Sequence, residues 1–198
     1  LPAHVQYIFG GFYADSEALR AKLPRSTALW LEFPVEENIA LGLKMYPETK
    51  KVAVITHSNR TGKQIHRRLL AELPSDGPVE YVLLNGADTS TDEMLAVLYG
   101  MPQQSFVVIA AWHGSSDGDY GYYRNVYELM VRVSQGPVFS CSYMGCGLLG
   151  GVQVPAAEFG KRMAQLLDKV RLGTLAEQIV PELMPCSVRF DYDVLQRF

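Results

Sequence analysis

The run Lys50 to Ile55 (KKVAVI) and the run Phe106 to Ala111 (FVVIAA) are apolar without alternating, and both are rich in β-branched residues. A strand with one exposed face alternates apolar and polar side chains, because successive residues point to opposite sides of the sheet. A strand covered on both faces has no reason to alternate. Polar loops and stretches of helical spacing flank both runs, so helices supply the cover. The chain is thereby confined to the α/β class with a mainly parallel sheet.

The remaining segments follow the same alternation. Val5 to Phe9 reads as a short strand ended by Gly10 and Gly11, followed by a short helix over Asp15 to Leu23 and an apolar stretch over Ala28 to Phe33. Val35, Ile39, Ala40 and Leu43 form one helical stripe, with Glu36 and Glu37 in the first turn, where the helix dipole favours them, and Pro47 beyond its end. Further helices are expected over Gly62 to Leu73, Thr91 to Leu98, Tyr123 to Ser134 and from Pro155 or Ala156 to Leu172, and strands over Glu80 to Leu84, Pro137 to Phe139 and Val152 to Val154. Ser90 with Glu93 is a capping box for the second of these helices, and Gly173 is a natural stop for the last. β-like stretches at Gln178 to Val180 and Ser187 to Phe190 and a terminal turn from Asp193 to Phe198 complete the chain. Ligand loops in such a sheet lie at the carboxyl ends of the strands, which selects Thr56 to Thr61, Asn85 to Thr89, Trp112 to Tyr123 and Ser140 to Gly147.

At 198 residues the chain is long enough to bury roughly two thirds of its unfolded surface without metal or disulfide staples. Its 18 Lys and Arg stand against 21 Asp and Glu, a net charge of −3, which lacks the basic excess of a nucleic-acid binder. Lys63, Arg67 and Arg68 read as one solvated helix face. Cys141, Cys146 and Cys186 are an odd set that leaves the redox compartment undecided. Buried thiols are the expectation, since a Cys141 to Cys146 bridge requires the intervening Ser-Tyr-Met-Gly loop to turn back on itself. A soluble domain is expected, because no stretch reaches the roughly 20 apolar residues that cross a bilayer and LPAHVQYIFG lacks the charged start of a signal peptide.

Motifs for chemistry are missing. Neither G-x-x-x-x-G-K-[ST] nor G-x-G-x-x-G stands at the first strand-to-helix turn, and there is no G-x-S-x-G elbow. Gly145, Gly147 and the Gly150-Gly151 pair superficially suggest a phosphate cradle but lack the tight strand-turn-helix context, which leaves tight turns and close backbone approach. Ser115, Ser116, His113 and Asp117 are immediate loop neighbours, which rarely point at a common centre. His4, His57, His66 and His113 are scattered, and the spacing of Cys141 and Cys146 is not a zinc pattern. No catalytic residue, metal or cofactor is expected. Ser58, Asn59, Arg60 and Thr61 lie just before a helix, where free N–H groups and a cation suit an anion. Trp112, Tyr120, Tyr122, Tyr123 and Tyr143 are interleaved with Asp117, Asp119, Arg124 and Asn125, the aromatic faces and fixed polar groups that an organic ligand requires. Packing on the surface or at a subunit contact is the alternative for any one of these tyrosines.

In the pieces MYPETKKVAVI, SNRTG, PVFSCSYMGCGLLGGVQV, EFGKRMAQLLDKVRLGT and VRFDYDVLQRF, the chain from about Glu36 to Phe198 resembles the uncharacterised ABC-transporter type of periplasmic substrate-binding proteins. Their domain also occurs as the extracytoplasmic sensor of bacterial histidine kinases and diguanylate cyclases. The resemblance implies a periplasmic-binding-protein-like α/β fold of two parallel-sheet lobes closing on a small ligand, with residues 1–46 and 137–198 in the first lobe and 47–136 in the second. Family members carry two or three further βα units before the point where this sequence starts, so an incomplete first lobe is expected. Its strands at Val5 to Phe9 and Pro137 to Phe139 would then be open to a homodimer contact. By the same resemblance, Ser58, Asn59, Arg60, Asn85, Trp112 and His113 contact the ligand, with Ser140, Ser142 and Tyr143 added where the chain recrosses. Tyr120 joins them from the aromatic loop. The implied partner is a small organic solute, with amino acids among the candidates, bound in a periplasmic or extracytoplasmic domain without enzymatic activity. The insert SSDGDYGYY favours a sensor domain of a membrane-anchored signalling protein, whose attached kinase or cyclase would be the output. A transporter component and a protein-interaction module without a small ligand are the alternatives.

Overall fold

The computed structural model describes residues 5–13, 17–112, 114–116, 118 and 123–198, and among these it contains nine strands and seven α-helices. The chain divides into two compact units, Leu1–Glu32 with Val154–Ser187 and Phe33–Gln153 with Val188–Phe198.

The smaller unit holds three parallel strands in the order β1 (Tyr7–Tyr13), β2 (Ser26–Leu31), β8 (Glu182–Leu183), with the helices α1 (Glu17–Arg20) and α6 (Ala156–Arg171). Its core is Leu29, Leu166, Ile179 and Met184 with Phe159 and Met163 against them. Two expectations are corrected here. Gly10 and Gly11 do not end β1: the strand runs through them with a register shift between Gly10 and Tyr13, and Gly10 lies against the Met163 thioether of α6. The β-like stretch at Gln178 to Val180 starts instead with a 3-10 turn over Ala176–Gln178, and the strand lies at Glu182–Leu183. The Thr27 hydroxyl donates to the Ile179 carbonyl at 2.8 Å and the Met184 N–H to the Trp30 carbonyl at 2.9 Å, contacts that set this register from 150 residues away in sequence. Helix α1 is also shorter than expected, since Pro24 disfavours helix at Leu23 and the Ser26 hydroxyl takes the Leu23 carbonyl at 2.7 Å.

The larger unit is built on a six-stranded sheet in the order β4 (Glu80–Asn85), β3 (Lys51–Thr56), β5 (Ser105–Ile109), β6 (Val138–Ser140), β7 (Gly150–Gln153), β9 (Ser187–Phe190). β3 to β7 pair in parallel. Val52 and Val54 of β3 pack with Val35 and Ile39 of α2 (Val35–Met45) and with Leu69 of α3 (Arg60–Glu72). Ala53 and Ile55 face the other side, with Met94 and Leu98 of α4 (Thr91–Tyr99) and Met130 of α5 (Tyr123–Val133). Both faces are apolar because both are covered, which is why the run does not alternate. The helix α7 (Tyr192–Leu195) adds Val194 to the first of these cores. The Ser90–Glu93 capping box opens α4 as expected. α3 begins two residues earlier than its apolar stripe suggests, because the Asn59 side chain accepts the Gly62 N–H at 2.8 Å and caps it.

Asn38 of α2 is fully buried. Its Nδ2 donates to the Pro34 carbonyl at 2.7 Å and the Val152 carbonyl at 2.9 Å, and its Oδ1 accepts the Val152 N–H at 2.8 Å. A Cβ on the preceding residue, Gly151 (φ +136°), would overlap that amide oxygen. α2, β6 and β7 therefore pack in the larger unit.

Asn38→Asp keeps the shape but removes both donors and sets a carboxylate against two carbonyls. It is expected to lower stability by about 3 kcal/mol in urea unfolding. Gly151→Ala, which combines backbone strain with that overlap, is expected to cost about 2 kcal/mol or more in the same assay.

Candidate functional site

Register places the carboxyl ends of the strands level: Thr56 pairs with Asn85, Ile55 with Ile109, and Ile109 with Ser140. Four loops therefore leave the larger sheet along one edge. Their positions are set by buried polar side chains. Asn85, 3% exposed, donates from Nδ2 to the Thr56 hydroxyl at 2.8 Å and the His57 carbonyl at 3.0 Å, and its Oδ1 accepts the Ala87 N–H at 2.9 Å. One side chain thus ties the loop after β3 to the loop after β4. The next residue must be glycine on steric grounds. A Cβ on Gly86 would strike the Gly114 carbonyl and come within 3.3 Å of both the Ser58 nitrogen and the Trp112 ring. The loop after β5 joins this contact, and its Ser116 N–H donates to the Thr89 carbonyl at 3.2 Å.

The fourth loop is held in the same way. The Ser140 hydroxyl accepts the Tyr143 N–H at 3.0 Å, and Gln153 Nε2 donates to the carbonyls of Ser140 at 2.7 Å and Tyr143 at 3.0 Å. Tyr143 packs on Tyr127 with ring centroids 5.8 Å apart, and the Tyr127 hydroxyl accepts the Trp112 backbone N–H at 3.3 Å. The glycine-rich segment turns back into β7 rather than into a helix, so it forms no phosphate cradle of the strand-turn-helix kind. Cys141 is buried in the core on the α2 and α3 face, and Cys146 packs at the α4 and α5 face, so the two thiols lie on opposite sides of the sheet and are not bridged.

The residues selected from sequence divide into two sets. Asn85, Trp112 and Ser140 are buried, and their polar groups serve the framework just described. Ser58 and Tyr143 are half-buried, while Asn59, Arg60 and Ser142 are exposed. Asn59 is engaged as the α3 cap, whereas the Arg60 guanidinium has no ion pair among the described residues. His113 and Tyr120 lie outside the described residues, as do Asp117, Asp119 and Tyr122. His57 Nδ1 accepts the Ser58 N–H at 2.8 Å, with the Ser58 hydroxyl 3.2 Å away. That contact belongs to a local turn rather than to a base poised on a nucleophile. Among the described residues no group of three or more His, Cys, Asp or Glu is placed to hold a metal. Sequence reading passed over Gly86 and Gln153. A glycine directly after a strand is a usable signal for close approach; Gln153 carries none.

Beside this edge, His66 of α3 and Asp88 line a groove of about 430 Å³ with Lys63 and Arg67. Burial holds the His66 imidazole below its ordinary pKa, with Asp88 pulling the other way, and its buried Nδ1 has no hydrogen-bond partner among the described residues.

Asn85→Leu is expected to lower stability by about 2–4 kcal/mol, since it strands the His57 carbonyl and the Ala87 N–H together; thermal unfolding measures it. For His66 the folded pKa lies below the unfolded one, so the unfolded chain takes up the proton first as pH falls. Stability is fullest above the unfolded value of about 6.5, drops as pH falls through it, and levels off once the folded ring also protonates. His66→Gln should bring urea midpoints at about pH 5.5 and about pH 7.5 closer together.

No protein-family model and no curated protein matches the sequence. Solved structures do match its fold. A domain in complex with L-Trp from Streptococcus pneumonia superposes with a TM-score of 0.69 at 11% identity, over 98% of this chain and 66% of the other. The ligand-free, open structure of a substrate-binding protein with adhesive properties from Clostridium difficile gives 0.59 at 14% identity, over 86% and 57%. A xylose-binding transcription activator gives 0.60 at 15% identity, over 96% and 52%. The chain thus spans between 52% and 66% of the length of these chains. At these identities the likeness is one of fold: an α/β protein of the periplasmic-binding-protein-like kind, with two sheet-containing lobes of which one sheet is small.

Proposed function

We propose that the carboxyl edge of the larger sheet binds a small organic solute and that the domain senses it on behalf of an extracytoplasmic signalling protein. The observation that carries this reading is the division of labour among the loop residues. Thr56, Asn85, Ser140 and Gln153 are consumed in holding the loops, while Ser58, Arg60, Ser142 and Tyr143 stand at or near the surface of the same edge. No nucleophile, base and orienting group converge there among the described residues, so the arrangement suits recognition rather than bond breaking. The solute classes favoured are amino acids and small sugars, in line with the L-Trp and xylose named for two proteins of this fold. A ligand acts on output only through its differential affinity for two conformations, so binding by itself is enough chemistry for a sensor. The substrate-binding protein of the same fold supports a transport component as the second reading.

A thermal-shift screen with L-tryptophan, the other amino acids and xylose tests the proposal. At least one solute should raise Tm, by the equivalent of about 2.7 kcal/mol when present at a hundred times its Kd. For an anionic solute, Arg60→Ala should then weaken binding by about tenfold in calorimetry while leaving the unliganded Tm unchanged. A complete screen without a stabilising solute would sink the small-ligand reading.

A further inference from the structure

The outer edge of the larger sheet is β4. The other sheet edges among the described residues are defended: β8 is two residues between Pro181 and Pro185, β9 is short and carries Arg189, and β1 is bent at Gly11. β4 has six residues with no Pro, Gly, Lys or Arg, and among the described residues no strand pairs with its outer side, where only the Asn85 carbonyl is engaged, by the Asp88 and Thr89 N–H groups. Beside it Leu70 of α3 is 62% exposed and, with Leu73, Tyr81 and Leu83, lines an apolar groove of about 400 Å³. The groove of Lys63, His66 and Arg67 continues along the same flank of α3 and β4.

Charge on this flank is sorted by position. At the carboxyl end of β4, Lys63 and Arg67 against Asp88 leave one positive charge. At its amino end, Glu80 is paired with Lys51 at 2.8 Å, and the exposed Asp76 stands four residues earlier in the chain, so the three leave one negative charge. An antiparallel copy of the same flank sets each end against its opposite, so the surface complements itself about a twofold axis. Strand chemistry agrees. With Val82 on the axis, Tyr81 lies opposite Leu83 and Glu80 opposite Leu84, which juxtaposes no like charges. Tyr81 and Leu83 belong to one core face and Val82 and Leu84 to the other, so this register keeps every side chain on its own side of the sheet. We infer that two copies of this chain associate through β4 and α3 into a dimer with one continuous sheet.

Sedimentation velocity over a dilution series tests this with the chain as it stands. A monomer–dimer equilibrium that weakens with added salt is expected. Leu70→Lys and the double variant Lys63→Glu with Arg67→Glu should each raise the dimer Kd by about tenfold or more. Adding Asp76→Lys to the double variant should recover part of the loss. All these positions are on the surface, so unchanged circular dichroism is expected for each, with Tm unchanged at concentrations where every variant is monomeric. A chain that stays monomeric at every concentration, or a dimer indifferent to both Leu70→Lys and the charge reversal, overturns the inference.

Discussion

The larger unit depends on one constraint: β3 is buried on both faces between β4 and β5. A strand in that position must be apolar on both sides, must have parallel neighbours whose connections cross over through helices, and must end level with them. Val52 and Val54 against α2 and α3, and Ala53 and Ile55 against α4 and α5, meet the first condition. The pairing of Thr56 with Asn85 and of Ile109 with Ser140 meets the last. Loops that could have been scattered over the surface are delivered to a single edge, and the candidate site is a consequence of that delivery.

A second layer of order comes from a few buried amides. Asn38 joins α2 to β7, Asn85 joins the loops after β3 and β4, and Gln153 holds the loop after β6. In a low-dielectric interior such groups are costly when unpaired and specific when paired, so each selects one arrangement of the backbone it touches. The glycines Gly86 and Gly151 are the steric counterpart, because each leaves space that an amide, a carbonyl or a ring fills. The candidate site is accordingly a hydrogen-bonded base carrying a thin layer of accessible polar groups.

Much of the fold was legible in local pattern. The helices α2, α4 and α6 fall where their stripes and the Ser90–Glu93 box put them, and Gly173 at φ +102° closes α6. The failures share one cause, a distant partner overriding a local signal. Gly10-Gly11 reads as a stop, whereas β1 continues through both and packs Gly10 against Met163 of α6. Gln178 to Val180 reads as a strand until Thr27 and Trp30 set the register further along. Among the candidate residues, sequence placed them on loops at the carboxyl ends of strands but did not separate Asn85 and Ser140, which serve the framework, from Arg60 and Ser142, which reach solvent. Exposure depends on neighbours, and no spacing rule encodes it.

Sequence by itself determined the α/β class, the parallel sheet and the edge from which the post-strand loops leave, because periodicity and capping act within a few residues and are written in the chain. Only the tertiary structure decided that α2, β6 and β7 complete the larger unit, and which polar side chains are spent and which remain accessible. It also decided that Cys141 and Cys146 lie on opposite faces of one sheet. Those outcomes rest on pairs such as Asn38 with Val152 and Thr56 with Asn85, which are 114 and 29 residues apart. Such contacts follow from how the layers pack, and a linear pattern does not record them.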